Sequence, residues 1–506
     1  MINTDVSMNE ILSWLRTHAA DAQLCSNSRQ ILAGDVFFAV LTHQGDGRNF
    51  IAQAIEQGAA AIVYEAADFS WQADWTVPHL AVTDLHSCVA ELAAAWYAHP
   101  DQSMHTVGIT GTNGKTSCSQ WIAKALSLLK CDSAVIGTLG VGLYQQGSVA
   151  HLQETGFTTP DAIQLQRALG GLRDQGAQAL AIEVSSIGLD QGRLDAMHFD
   201  TAVLTNLTRD HLDYHGDMQN YAAAKQRLFD WPGLKNAIVN LDDAFGAQML
   251  QHMRAQHPEV NLLSYSLEKN AEDGSATLLA THLKTTHAGT SFHLDSPFGH
   301  AQVKTHLIGR FNISNVLAVI AVLLAKGIPF AKAVAVIEKL EPVPGRMQLL
   351  GSPGHAMVVI DYAHTPDALQ KTLETLLPVA TERAGQLWCV FGCGGDRDPG
   401  KRPQMGLVAE TAQHVVVTSD NPRTEDPSAI IAQIVAGMRR QAHVIEDRAS
   451  AILYAIKHAS DRDVILLAGK GHETYQDIQG KKWPFSDQEH ASLALATVAT
   501  SMKRTS

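Results

Sequence analysis

VGITGTNGKTSCSQWIAKAL, residues 107 to 126, decides how the chain is read. Val107 to Thr110 form an apolar run with strand character. The next four residues include two glycines, and helical spacing starts at about Lys115. A phosphate-binding loop needs that order. Gly111 and Gly114 let backbone N–H groups approach phosphate oxygens, and the helix N-terminus adds partial positive charge. Lys115 can reach β- and γ-phosphates, and the Thr116 hydroxyl can hold Mg²⁺. The strict pattern G-x-x-x-x-G-K-[ST] asks for glycine at 109, where this chain has Ile109; its glycines stand at 108, 111 and 114. A plain structural glycine turn is the competing reading. G-K-T between strand and helix favours ATP or GTP with Mg²⁺.

Strand-like and helix-like segments alternate on both sides of this stretch, which predicts α/β domains with largely parallel sheets. The 506 residues suggest about three domains. HPDQS after a helical stretch (88–98) marks one seam, and EPVPGR at 341–346 marks another. The blocks are then 1–100, 101–340 and 341–506. Lys plus Arg number 38 against 51 Asp plus Glu, a net charge of −13, which disfavours a nucleic-acid or anionic-membrane binder. Six scattered cysteines, with only Cys389 and Cys393 close together, argue against a zinc site and fit a reducing cytoplasm. The apolar run 316–325 is too short to span a bilayer, and residues 1–20 carry no export signal, so a soluble cytoplasmic protein is expected.

AIEVSSIGLDQGR (181–193) begins as a strand and turns polar. Glu183 inside an apolar strand is costly unless paired or metal-bound, so a Mg²⁺ ligand and a salt-bridged edge carboxylate both stay open. VLTNLTRDHLDYHGDMQNYAAAKQRLF (203–229) carries His211 in a loop dense with carboxylates. Read alone, His211 is an ordinary loop histidine and Lys225 a solvated helical lysine. Asn312 and Asn315 in GRFNISN (309–315) suit helix capping. TSDNPRTEDP (418–427) follows three valines that read as a buried strand, and holds one arginine among three carboxylates. Arg423 on its short tether suits planar recognition of a carboxylate; the bland reading is a turn with a solvated arginine.

Together, G-x-x-G-T-N-G-K-T, E-V-S-S, T-N-L-x-R-D-H-L-D-Y-H-G and A-A-K resemble the Mur ligase family, in family order and across most of the middle block. The resemblance implies three α/β domains: a small N-terminal uridine-diphosphate-binding domain, a central P-loop ATPase-like domain and a C-terminal Rossmann-like domain. It implies ATP-driven amide formation in cytoplasmic peptidoglycan precursor synthesis in a bacterium. Nucleotide contacts would come from Gly111, Thr112, Asn113, Gly114, Lys115, Thr116 and Ser117, with Asn312, Asn315 and Arg346. Mg²⁺ would be held by Thr116, Glu183, His211 and Lys225, the lysine carbamylated by CO₂ into a carboxylate-like ligand. Lys115, Glu183, His211 and Lys225 are the implied catalytic set. Related synthetases often read S-S-H where Ile187 stands here, so a histidine role there is dispensable or supplied elsewhere.

In the first block, CSNSRQILAGDVFFAV (25–40) and LTHQGDGRNFI (41–51) resemble the uridine-diphosphate end of such a site. Ser26, Ser28, His43, Gln44 and Gly45 match it. GFTTPDA (156–162) resembles the loop holding the muramyl dipeptide, with Thr158 and Thr159; Ser185, Gln191 and Arg193 complete that set, while Phe157 replaces a frequent asparagine. D-N-P-R in this family marks enzymes that add meso-diaminopimelate, which implies Arg397, Asp420, Asn421, Pro422, Arg423, Gly469 and Glu473 as its contacts. Lysine lacks the far carboxylate and would leave Arg423 unpaired, a basis for selectivity of roughly 10⁴-fold. The implied partners are UDP-N-acetylmuramoyl-L-alanyl-D-glutamate, meso-diaminopimelate and ATP, with a monomer expected. The rivals are an L-lysine-adding homologue, a folylpolyglutamate synthase-like ligase, and a nucleotide-switched binding protein without ligase activity.

Overall fold

The computed structural model describes residues 6–42, 45–268, 276–286, 289–351 and 355–505. Three main sheets follow one another along the chain. The first has four parallel strands in the order Leu24–Cys25, Val36–Ala39, Ala61–Glu65, His79–Val82. Helices Met8–Ala19 and Leu85–Trp96 pack on one face through Ile11, Leu15, Leu92 and Ala93.

The second sheet has eleven strands. Its parallel centre runs Ser133–Gly137, Ala179–Glu183, His105–Thr110, Thr201–Leu204, Asn236–Asn240, Asn261–Ser266, Leu278–Thr286. Antiparallel strands extend both edges, including Gly289–Ser296 and Gly299–Thr305 on one side. Alternation of strand and helix predicts the parallel centre; the antiparallel edges form where successive strands are joined by turns too short for a crossover helix. Helix Arg310–Ala325 is buried from Ile313 to Leu324, except for the half-buried Ser314. The apolar run 316–325 is therefore a core helix, apolar all round because it has protein on all sides. No helix among the described residues is long and apolar enough to cross a membrane.

The third sheet runs Gln348–Leu350, Met357–Asp361, Val464–Ala468, Leu387–Phe391, His414–Val417, His443–Val444, parallel except for its first strand. A fully buried bidentate pair, Arg448 with Asp487 at 2.8 and 2.7 Å, ties its helices. Removing one partner of such a pair costs about 3–5 kcal/mol. The segment between the second and third sheets packs against the helix of the phosphate loop. Trp121 Nε1 donates to the Glu341 carbonyl at 2.9 Å, and Arg346 Nη2 donates to the Thr116 hydroxyl at 3.1 Å.

Register positions the site. Glu183 pairs with Ile109, and Leu204 with Thr110, so three adjacent parallel strands end together. Their carboxyl ends present the glycine loop, Glu183 and Thr205–Thr208 side by side, where open α/β sheets bind ligands.

Candidate functional site

The strand His105–Thr110 runs into Gly111–Gly114 and then the helix Lys115–Leu128. Gly111 has φ +144°, and a Cβ there would lie 1.9 Å from Thr205 Oγ1; Gly114 has φ +90°, and its Cβ would meet Asn315 Oδ1 at 2.5 Å. Both positions exclude any side chain. Gly108 is different. It lies within the strand, and a Cβ would strike the Phe199 ring at 2.9 Å, so it is a packing glycine. Ile109, where the strict pattern asks for glycine, is fully buried strand core.

The T-N-L segment braces this loop. Asn113 N donates to Asn206 Oδ1 at 2.9 Å, Asn206 Nδ2 to the Asn113 carbonyl at 3.1 Å, and Thr205 Oγ1 to the same carbonyl at 2.6 Å. Thr112 Oγ1 donates to the Thr208 carbonyl and accepts from Thr208 N at 2.9 Å. The loop's shape is thus fixed by protein alone. Lys115 Nζ folds back onto the carbonyls of Gly111 and Thr112, at 2.7 and 2.8 Å. Thr116 and Ser117 are buried in the helix's first turn.

Glu183 is fully buried on a central strand and has no ion pair among the described residues. Thr116 Oγ1, Thr138 N and Thr138 Oγ1 donate to its carboxylate at 3.1, 2.9 and 3.0 Å. That removes the salt-bridged edge reading and leaves an anionic group beside the Thr116 hydroxyl, a donor set suited to a hard cation. Lys225 corrects the sequence reading outright. It is 1% exposed, not solvated. Nζ donates to the Gly111 carbonyl at 3.0 Å and lies 4.4 Å from the Tyr221 ring centroid. Burial, then the Lys115 charge, hold its pKa well below the ordinary lysine range. His211 sits with φ +53° at the cleft, 3.5 Å from Asp210, its side chain a little under half exposed, and burial lowers its pKa.

Asparagine capping is not observed. Gly309 is the N-cap of helix Arg310–Ala325, Asn312 Nδ2 donates to the Ile308 carbonyl at 2.8 Å, and Asn315 packs on Gly114. Arg346 stacks 4.4 Å from the Tyr362 ring centroid.

A cleft of about 690 Å³ opens between the second and third sheets. One wall carries Thr138, Thr158, Ile187 and His211; the other carries Arg397, Asp420, Asn421, Arg423, Gly469 and Glu473. All three carboxylates of the loop 418–427 have work inside the protein. Asp420 accepts from Asn421 N, Glu425 takes Arg402 at 2.8 and 2.7 Å, and Asp426 caps helix Pro427–Ala436. Arg423 has no carboxylate partner among the described residues. Its Nη1 donates to the Gly395 carbonyl at 2.5 Å, with Gly394 left bare beside it. Pro422 packs its carbonyl against Gly395, where a Cβ would lie 2.0 Å away. Arg423 has φ +51°, held by Arg423 N to the Asp477 carbonyl and Gln479 N to the Arg423 carbonyl. The hairpin Tyr475–Ile478 and Lys481–Pro484 thereby pins the loop. Gly469, φ +109°, leaves no room for a Cβ beside Asp420.

Most of the remaining expected residues gather around the 156–162 loop, while Ser28 and Gly45 lie in the first sheet's unit. Ser26 Oγ donates to Asp161 Oδ2 at 2.9 Å, joining the first sheet's unit to the 156–162 loop. Thr158 meets Thr138 at 3.1 Å. Thr159 Oγ1 donates to the Glu183 carbonyl and accepts from Ser185 N; Ser185 caps the helix Ser186–Asp190. Arg193 donates to the Thr159 carbonyl at 2.7 Å and to Gln191 at 2.8 Å. Ser28 is buried against Gln53, and Gly45 is exposed in a hairpin. His43 and Gln44 lie outside the described residues.

Three models of known families match in order: Mur ligase family, catalytic domain, over 23–97; Mur ligase middle domain over 109–323; and Mur ligase, glutamate ligase domain, over 345–471. A UDP-N-acetylmuramoyl-L-alanyl-D-glutamate--2,6-diaminopimelate ligase from Janthinobacterium sp. (strain Marseille) is 57% identical over 98% of both chains. One of the same name from Ralstonia nicotianae is 52% identical over 96% of this chain and 95% of its own. The chain belongs to the Mur ligase family. A solved structure of a diaminopimelate ligase of that name shares 37% identity and a TM-score of 0.63, covering 94% of each chain. A folylpolyglutamate synthase from Mycobacterium tuberculosis, at 18% identity and TM-score 0.61 over 75% of this chain and 91% of its own, shares the Mur ligase fold alone.

Two residues of this Mur ligase site escaped the sequence reading. Lys470 is fully buried, its Nζ 2.9 Å from both Asn421 Oδ1 and Glu473 Oε2, so it cross-links two of the expected contacts. The G-K-G context carries a signal only if it is read as a buried cation between the two loops. His215, buried with Nε2 2.9 Å from Ser186 Oγ, stands beside the position where Ile187 replaces a histidine.

Proposed function

We propose that this chain joins meso-diaminopimelate to the D-glutamyl γ-carboxylate of UDP-N-acetylmuramoyl-L-alanyl-D-glutamate, using ATP through an acyl phosphate. The observation that carries the reading is the unpaired Arg423 guanidinium facing the same cleft as Thr158 and His211. A diamine with a distal carboxylate matches it; the names of the most similar relatives agree. The braced glycine loop holds the ATP phosphates, with Asn315 and Arg346 beside it. Lys115 turns from its loop carbonyls toward the γ-phosphate and stabilises charge as the γ-carboxylate attacks. ADP departs, the amine of diaminopimelate adds to the acyl carbon, and phosphate leaves the tetrahedral intermediate. Thr159, Ser185, Gln191 and Arg193 shape the floor under the dipeptide, and Ser26 and Ser28 lie toward the uridine diphosphate. Asn421, Glu473 and Asp420 orient the amino acid, and Arg423 grips its far carboxylate in two parallel hydrogen bonds.

Mg²⁺, when bound, neutralises the phosphate oxygens. Thr116, Glu183 and His211 are the donors proposed for it. Lys225 completes the set as a carbamate, whose formation needs the neutral amine that burial favours. We place the reaction in the bacterial cytoplasm and take the chain as a monomer.

The test is phosphate release from ATP with the UDP-muramoyl dipeptide and either meso-diaminopimelate, L-lysine or no amino acid, with product mass recorded. Release and a tripeptide mass only with diaminopimelate support the reading. Equal turnover with lysine removes the selectivity claim, and release without amide product favours a nucleotide switch.

A further inference from the structure

Away from the cleft, Asp230, His252 and His257 bring three potential ligand atoms within 4.8 Å of one another. It is the only such group of three among the described residues. His252 Nε2 lies 2.6 Å and His257 Nε2 2.9 Å from the same oxygen, Asp230 Oδ1. His252 and His257 sit at the end of helix Ala244–Gln256, and Asp230 just past helix Met218–Gln226, the helix that carries Lys225. Two helix C-termini therefore converge here, and the negative ends of their dipoles favour a cation.

Both imidazoles turn Nε2 to one oxygen, Asp230 Oδ1, while Gln226 Nε2 holds the other, Oδ2, at 3.2 Å. With the ring proton on Nδ1, the two Nε2 lone pairs and Oδ1 can meet on a single ion. His257 also carries a carboxylate behind it, with Nδ1 3.6 Å from Glu259 Oε1, as metal-bound histidines commonly do.

We propose that Asp230, His252 and His257 form a binding site for a divalent transition ion of the zinc class. Imidazole nitrogens select such ions over Mg²⁺, which prefers oxygen. A tetrahedral ion with ligands at about 2.1 Å needs its donor atoms about 3.4 Å apart, so the His252–Asp230 and His257–Asp230 spacings of 2.6 and 2.9 Å open by about 0.8 and about 0.5 Å. In the metal-bound form each imidazole ligates through Nε2 and keeps its proton on Nδ1. With side chains about a quarter to two-fifths exposed, the site keeps a fourth position for water. The bound ion ties the end of the Lys225 helix to the neighbouring helix.

The experiment uses the full chain, stripped by chelator and held in excess Mg²⁺, titrated with Zn²⁺ alone against a competing chelator. One Zn²⁺ per chain is expected, with affinity reduced at least about tenfold in His252→Ala and in His257→Gln. Co²⁺ in place of Zn²⁺ should give the visible absorption of a tetrahedral nitrogen–oxygen site, absent from both variants. Zn²⁺ should raise the melting temperature of the unaltered chain and not that of His257→Gln, a half-buried position just past the helix end whose metal-free melting curve should match the unaltered chain's. No stoichiometric Zn²⁺, or affinity within about twofold in both variants, overturns the proposal.

Discussion

The phosphate loop and the loop 418–427 both leave the carboxyl end of a parallel strand, yet they are built on opposite plans. Around Gly111–Gly114 the backbone itself is the binding surface. Thr205, Asn206 and Thr208 hold its shape, and Lys115 and Lys225 rest on its carbonyls. In 418–427 the backbone is consumed internally by Gly395, Asp477 and Gln479, and side chains face the cleft, Arg423 being the one cation among them. A backbone cradle recognises phosphate whatever carries it. In the proposed function, a guanidinium between bare glycines is what discriminates one amino acid from another. The difference teaches where changes should abolish turnover and where they should only alter choice.

Lys115→Met is the severest break. It removes the ammonium that rests on the Gly111 and Thr112 carbonyls, and turnover should fall on the order of 10³-fold or more with any amino acid. Phosphate release with diaminopimelate and with lysine measures it. A variant that loses one substrate only would mean that the two loops are not separate devices. Arg423→Lys should come next. The ammonium keeps the charge but cannot form two parallel bonds, so kcat/KM for diaminopimelate should fall about 10²-fold while the KM for ATP stays within about twofold. A matching loss for ATP would place Arg423 in the cradle.

Much of this contrast is legible in the sequence, for a local reason. Strand, glycines, G-K-T and helix lie within twenty residues, and valines 415–417 precede the loop directly. Glu183 is legible too, because a charge in an apolar strand demands a partner. Lys225 is not. A-A-A-K reads as a solvated helix face, and only docking of helix Met218–Gln226 beneath Gly111 buries it. Lys470 fails for a similar reason: its partner Asn421 lies 49 residues away and its other partner, Glu473, reads as a ligand contact. The carboxylates of the loop 418–427 likewise have their partners at Arg402 and in a helix cap, which no spacing within the loop reveals.

Two glycine changes sharpen the comparison at smaller amplitude. Gly111→Ala puts a Cβ 1.9 Å from Thr205 Oγ1 at φ +144°, which should cost both stability and nucleotide binding. Gly394→Ala puts a Cβ 2.9 Å from Arg423 Nη1, the far end of a flexible side chain that can move aside. The fold should survive, and only the KM for diaminopimelate should rise, by about tenfold or less. Melting curves beside kinetics separate the two. Equal destabilisation by both would show that the Arg423 loop is as rigid as the phosphate cradle.

The smallest effect concerns protons on the amino-acid wall. His364 lines the cleft, and burial, helped by Lys401, lowers its imidazole from 6.5 to about 4. The unfolded chain takes up that proton near pH 6.5, the folded chain only near pH 4. Between those values the unfolded state binds more protons, so stability falls as pH falls. The contribution is fully present above pH 6.5 and is lost on the way to pH 4. His364→Gln cannot titrate, so its urea midpoint should fall less than that of the unaltered chain between about pH 7.5 and about pH 4.5. Part of the slope should persist, because His105 is lowered to about 4 at the far end of the central sheet. An unchanged slope would mean that His364 keeps its proton in the folded chain. The amino-acid wall would then carry a titratable cation in addition to Arg397 and Arg423, and selectivity for the distal carboxylate would vary with pH.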